Sequence, residues 1–143
     1  MMQEEVADRI VSPPGSKVYG SFSCYAQFYT EPEKLLRIKK NSFHPRPQVD
    51  SCLLKLKVLS SPRVRVKDAE FMFRVIRKAF SQRRKKAVNP LSDKTFLPLT
   101  RKQWEDVFKT CGIDPSSRAE DIALKDFAAL ADEVLVCRGT PSG

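Results

Sequence analysis

At 143 residues, with 41% hydrophobic and 30% charged side chains, the chain can form one domain, or a small domain with a piece of another. This composition excludes disorder of the whole chain, and no run approaches the ~20 apolar residues of a membrane helix. The opening Met1-Met2-Gln3-Glu4-Glu5 is acidic where a secretory signal would be basic, so a cytoplasmic chain without a membrane partner is expected.

The net charge of +9 is unevenly spread. Residues 1–62 hold 9 Lys/Arg against 6 Asp/Glu, residues 63–102 hold 13 against 3, and residues 103–143 hold 4 against 8. A positive field concentrated in the middle third suits a polyphosphate partner. Cys24, Cys52, Cys111 and Cys137 lie far apart, with no Cys-x-x-Cys pair and one histidine in the chain, so neither a metal site nor a disulfide framework is expected. Cys52 and Cys111 fall on apolar faces and read as buried thiols. His44, beside two prolines, reads as a loop residue.

In chain order, residues 3–11 place Val6 and Ile10 four apart behind two acids, as a short amphipathic helix does. Ser12-Pro13-Pro14-Gly15-Ser16 stops it. From Gly20 to Tyr29 the residues Phe22, Tyr25, Ala26 and Tyr29 recur at helical spacing, which predicts a second helix with those aromatics in the core. Lys34 to Lys39 reads as a strand, and so does 50–58, where Cys52, Leu54, Leu56 and Val58 alternate with Leu53, Lys55 and Lys57. Between them, Asn41-Ser42-Phe43-His44-Pro45-Arg46-Pro47-Gln48-Val49-Asp50-Ser51 is a stiff loop, because Pro45 and Pro47 fix their own φ and extend the residues before them. Phe43 in that setting is either a platform for a flat ligand or a core plug. Two strands and two helices do not close a sheet, so this part reads as a piece of something larger.

Ser60-Ser61-Pro62 marks a boundary at which strands give way to helices. Asp68 is a fair N-cap for a helix through Phe80, with Met72, Val75, Ile76, Ala79 and Phe80 on one side. Arg74, Arg77 and Lys78 lie on or beside the other, and the run continues through Gln82-Arg83-Arg84-Lys85-Lys86 with no carboxylate between Glu70 and Asp93. Its self-repulsion calls for an anion. Thr100 and Gln103 form a capping box for a helix bearing Trp104, Val107, Phe108 and Cys111 that stops at Gly112. After a turn at 113–117, a last helix from about Lys125 to Val136 buries Phe127, Leu130, Ala131, Val134 and Leu135, and 137–143 is expected to fray.

Four stretches together resemble one family: Gln3-Glu4-Glu5-Val6-Ala7-Asp8-Arg9-Ile10 with Pro14-Gly15-Ser16-Lys17-x-Tyr19-Gly20; Phe43-His44-Pro45-Arg46-Pro47-Gln48-Val49-Asp50-Ser51; Phe80-Ser81-Gln82-Arg83-Arg84-Lys85-Lys86; and Cys111-Gly112-Ile113-Asp114-Pro115-Ser116-Ser117-Arg118-Ala119-Glu120. They are similar in order and spacing to the ribosomal RNA adenine N6-dimethyltransferases, above all the small-subunit type. Lys86 and Ala87 depart from that family's usual Thr-Leu, and Ala123 stands where a capping Ser is common.

The resemblance implies an α/β plus α protein. Residues 1–61 would be the C-terminal part of a Rossmann-like methyltransferase sheet, and residues 62–143 a small all-helical RNA-binding domain. It implies S-adenosylmethionine as cofactor of the complete enzyme, but the family's glycine-rich turn and Asn-Leu-Pro-Tyr-type motif have no counterpart here. The chain is therefore expected to be a truncated or expressed portion, inactive alone, monomeric and without a metal. The implied partner is small-subunit ribosomal RNA or the immature small subunit.

Adenine N6 is a weak nucleophile, so such an enzyme extrudes the base and aligns its amine. Phe43 would stack on that adenine. Lys17, Lys39, Arg46, Arg77, Lys78, Gln82, Arg83, Arg84, Lys85 and Lys86 would contact the RNA backbone. The competing reading is a non-catalytic RNA- or DNA-binding assembly or transcription factor of the same fold; a basic helical domain that docks only on protein is a third.

Overall fold

The computed structural model of the chain describes residues 1–139. These divide into two compact units, Met1–Arg63 and the residues from Val64 onward.

The first unit holds α1 (Glu4–Val11), α2 (Ser21–Tyr29) and three strands, β1 (Met2–Gln3), β2 (Thr30–Ile38) and β3 (Ser51–Val58), in the antiparallel order β1-β3-β2. β1 is too short for periodicity to reveal; it is defined by its pairing with Ser51 and Cys52. α1 ends where Ser12 turns extended and its buried hydroxyl donates to the Asp8 carbonyl. Gly15, at φ +89°, makes the reversal that Pro13 and Pro14 begin.

The aromatic face expected to line the core is the exposed face of α2. Phe22, Tyr25 and Tyr29 are 48%, 54% and 41% exposed, whereas Ser23, Cys24 and Phe28 are buried. Polar anchoring fixes that rotation. Ser23 donates to the Arg9 carbonyl, and Gln27 donates to the carbonyls of Ile10 and Ser12 at 2.9 and 2.8 Å. These bonds turn the Cys24/Phe28 side inward, and burial pushes the Cys24 thiol up to about 11.

In the sheet, the register slips at Leu35, between the pairs Lys34–Leu54 and Leu36–Leu53, so a bulge accommodates consecutive leucines. Cys52 is buried on the face over which Lys34 reaches Asp8 of α1 at 2.6 Å. Leu54 is half-buried, but Leu56 and Val58 on the same face are 43% and 77% exposed, so burial covers only the first half of that alternation. On the opposite face Glu33 pairs with Lys55 and Glu31 with Lys57, and Leu36 and Leu53 lie exposed beside each other.

The second unit packs α3 (Ala69–Phe80), α4 (Val88–Leu91), α5 (Arg101–Thr110) and α6 (Leu124–Gly139) around Met72, Ile76, Leu91, Trp104, Phe108, Phe127, Leu130 and Val134, all buried. Asp68 caps α3, accepting from the Phe71 N–H at 3.1 Å. Thr100 and Gln103 exchange the two hydrogen bonds of the capping box at 3.2 and 2.8 Å. Gly112, at φ +74°, ends α5. Cys111 and Leu135 are half-buried instead of buried. α4 answers no amphipathic period; Val88, Pro90 and Leu91 are simply buried together. Residues 137–139, expected to fray, complete α6, and 140–143 lie outside the described residues.

Candidate functional site

The Phe43 loop spans residues 39–50, between β2 and β3. Lys40–Ser42 form a 3₁₀ turn closed by the Ser42 N–H on the Lys39 carbonyl at 3.0 Å and the Phe43 N–H on the Lys40 carbonyl at 3.3 Å. The His44–Pro45 peptide is cis. Phe43 itself is half-buried, neither enclosed as a core plug would be nor free in solvent, with Lys39 and Arg46 exposed on the same loop. Lys17 is exposed in the turn between α1 and α2.

A polar clamp closes the root of this loop. The Asp50 carboxylate accepts from the Lys40 backbone N–H at 2.8 Å and from Arg37 Nη2 at 2.6 Å, and the Asp50 carbonyl accepts from the Glu4 N–H at 3.0 Å. Arg37 Nε also meets Glu4 Oε2 at 3.1 Å. The Lys40 N–H and the Arg37 guanidinium hold the Asp50 carboxyl below the usual carboxylate range. Sequence reading assigned no role to Asp50, Arg37 or Glu4. Asp50 was visible in the loop motif, but its partners Lys40, Arg37 and Glu4 lie ten, thirteen and forty-six positions away.

In the second unit the basic run leaves α3 at Phe80 and passes through turns, so Gln82, Arg83, Arg84, Lys85 and Lys86 do not extend the helix, and all five are exposed. The backbone there is tied down from the far end of the unit. Lys86 bridges Arg118, and the Ala87 N–H donates to the Ser117 carbonyl at 2.9 Å. The turn 113–117 that supplies this support is held by Asp114, which accepts from Ser116 N–H and Oγ, both at 2.8 Å.

The structure corrects the expectation that repulsion along the run goes unrelieved. Carboxylates distant in sequence reach two of its cations: Lys78 Nζ meets Asp93 Oδ2 at 2.9 Å, and Arg83 Nη2 lies 3.8 Å from Glu120 Oε2. Lys78, together with Thr95, holds the Asp93 carboxyl down to about 2. Arg83 also lies over the Phe80 ring at 5.5 Å, and Arg74 over Phe96 at 5.9 Å. Arg77, Arg84 and Lys85 are exposed on the same unit. What remains is a fixed, projecting cationic turn able to meet a phosphate backbone.

The residues described do not fit S-adenosylmethionine. A cradle for it needs a strand leading into glycines where the backbone approaches the ligand. Gly15 and Gly112, the two described glycines with positive φ, occur in helix-terminating turns, with nothing within 4 Å of an added Cβ. Among the described residues, no group of three His, Cys, Asp or Glu could hold a metal ion, and no helix is long and apolar enough to cross a membrane.

Residues 1–135 match the family described as "Ribosomal RNA adenine dimethylase". The chain is 41% identical over 132 residues to ribosomal RNA small subunit methyltransferase A of Clostridium botulinum, covering 92% of this chain and 47% of that protein. It is 40% identical over 131 residues to the protein of the same name from Moorella thermoacetica, covering 92% and 44%. The chain thus spans about half the length of these curated relatives. Its fold is similar to the crystal structure of a dimethyladenosine transferase from Plasmodium falciparum, with TM-score 0.71, 20% identity, and coverage of 90% of this chain and 53% of that one. It is also similar to that of the 23S rRNA methyltransferase ErmE, with TM-score 0.62, 16% identity, and coverage of 92% and 51%. From its match over residues 1–135, the chain belongs to the ribosomal RNA adenine dimethylase family.

Proposed function

We propose that this chain is the substrate-binding portion of an S-adenosylmethionine-dependent adenine N6,N6-dimethyltransferase acting on small-subunit ribosomal RNA in the cytoplasm, and that alone it binds RNA without methylating it. The observation that carries this reading is the exposed basic turn 82–86 in a chain of this family. Arg84, Lys85 and Lys86, with Arg77, Arg83 and Gln82, hold the phosphate backbone and so set the register of the RNA. Lys17, Lys39 and Arg46 add contacts from the first unit. Phe43 offers a ring face to the target adenine, an interaction worth about 1–3 kcal/mol. It orients the base, and the amine must be met by groups that these residues do not supply.

The test incubates the chain with methyl-labelled S-adenosylmethionine and immature small subunits. The expected result is salt-sensitive binding without label transfer. Robust methylation overturns the proposed division of labour. Retention of RNA binding after Arg83, Arg84 and Lys85 are all changed to Glu points instead to a domain that docks on protein.

A further inference from the structure

We infer that Asp50 is a positioning residue for base stacking: its carboxylate locks the root of the loop so that Phe43 is held ready for a flat ligand. This rests on the reading of Phe43 as a base platform. The chain of contacts is short. One Asp50 oxygen takes the Lys40 N–H at 2.8 Å, and the Lys40 carbonyl takes the Phe43 N–H at 3.3 Å. The carboxylate on the outgoing arm of the loop thereby fixes the turn from which Phe43 projects on the incoming arm. The second Asp50 oxygen takes Arg37 at 2.6 Å, and Arg37 is held in turn by Glu4, the first residue of α1.

The chemistry favours a carboxylate at this position. Lys40 opens a 3₁₀ turn, so its N–H has no partner within the turn, and Asp50, reaching back across the loop, supplies the acceptor. The Lys40 N–H and the Arg37 guanidinium reach different Asp50 oxygens, and Asn offers an acceptor at only one of these two positions. With Pro45 and Pro47 stiffening the middle of the loop and Asp50 closing its ends, Phe43 loses little freedom on meeting a base.

The experiment uses the full chain and a single-stranded RNA carrying two adjacent 2-aminopurines, whose fluorescence is quenched by stacking. Three readouts are taken: binding anisotropy, quench at saturation, and hydrogen exchange of the Lys40 amide. Asp50→Ala is expected to speed Lys40 exchange by about 10-fold or more. It is expected to lose at least about half of the Phe43-dependent quench, while affinity changes by less than about 3-fold because the phosphate contacts remain. Asp50→Asn, which retains one acceptor, is expected to restore most of the Lys40 protection and part of the quench, and it serves if the alanine variant does not fold. Loss of Lys40 protection with an unchanged quench overturns the inference, leaving Asp50 a purely structural residue. A wild-type quench that is absent, or that survives Phe43→Leu, overturns the stacking reading and the inference with it. That outcome is distinct because it is seen before Asp50 is touched.

Discussion

Among single residues, carboxylates brought near by the fold distinguish cations that share one stretch of sequence. Lys78 and Arg84 belong to the same carboxylate-free stretch of sequence, yet Lys78 is half-buried and spent on Asp93, whereas Arg84 is exposed. Arg84→Ala is therefore expected to lower the slope of log affinity against log salt by about 0.7 for single-stranded RNA. Lys78→Ala is expected to leave that slope nearly unchanged while lowering stability. Titration of RNA at four salt concentrations, with unfolding followed through Trp104, checks both. An unchanged slope for Arg84→Ala would remove it from the interface. The same logic applies to Asp50. Its identity is plain in the loop motif, but its role comes from Lys40, Arg37 and Glu4, which no spacing rule connects.

At the level of elements, α2 shows how a correct helix can carry an incorrect face. The period Phe22, Tyr25, Ala26, Tyr29 is present, but so is a second stripe through Cys24 and Phe28, and hydrophobicity alone does not choose between them. Gln27 and Ser23 choose, by donating to the carbonyls of Arg9, Ile10 and Ser12 at the end of α1. Phe28→Ala is expected to destabilise the first unit by about 3–5 kcal/mol, and Tyr25→Ser by no more than about 0.5 kcal/mol. Hydrogen exchange of the α2 amides measures the difference; equal effects would contradict the observed rotation. Elsewhere the local signals were sufficient. The caps at Asp68 and Thr100 and the stop at Gly112 involve neighbours within a few positions, so the sequence carries both partners. β1 and α4 were invisible because two residues of strand and four of helix have no period.

For the molecule as a whole, the two units differ in how far each satisfies its own apolar surface. The unit beginning at Val64 encloses Trp104, Phe108, Phe127 and Leu130 completely and carries the basic turn. A polypeptide starting at Val64 is expected to unfold cooperatively by Trp104 fluorescence and to keep the larger share of the salt-dependent RNA binding, while losing the contacts of Lys17, Lys39 and Arg46 and the quench of 2-aminopurine. Non-cooperative melting would show that it does not stand alone. The first unit leaves Leu35, Leu36, Leu53, Leu56 and Val58 exposed on its small sheet, which has three strands where two were expected.

By itself, the sequence determined the family, the helices with their caps, the strands on either side of the Phe43 loop and the concentration of positive charge, because each of these is written in residues close together or in a motif of fixed order. The tertiary structure alone decided which face of α2 is buried, which cations of the basic run are already paired, and what holds the loop that carries Phe43. Those are contacts between residues from ten to forty-six positions apart, and their partners are selected by packing and by hydrogen bonds that must be satisfied out of water.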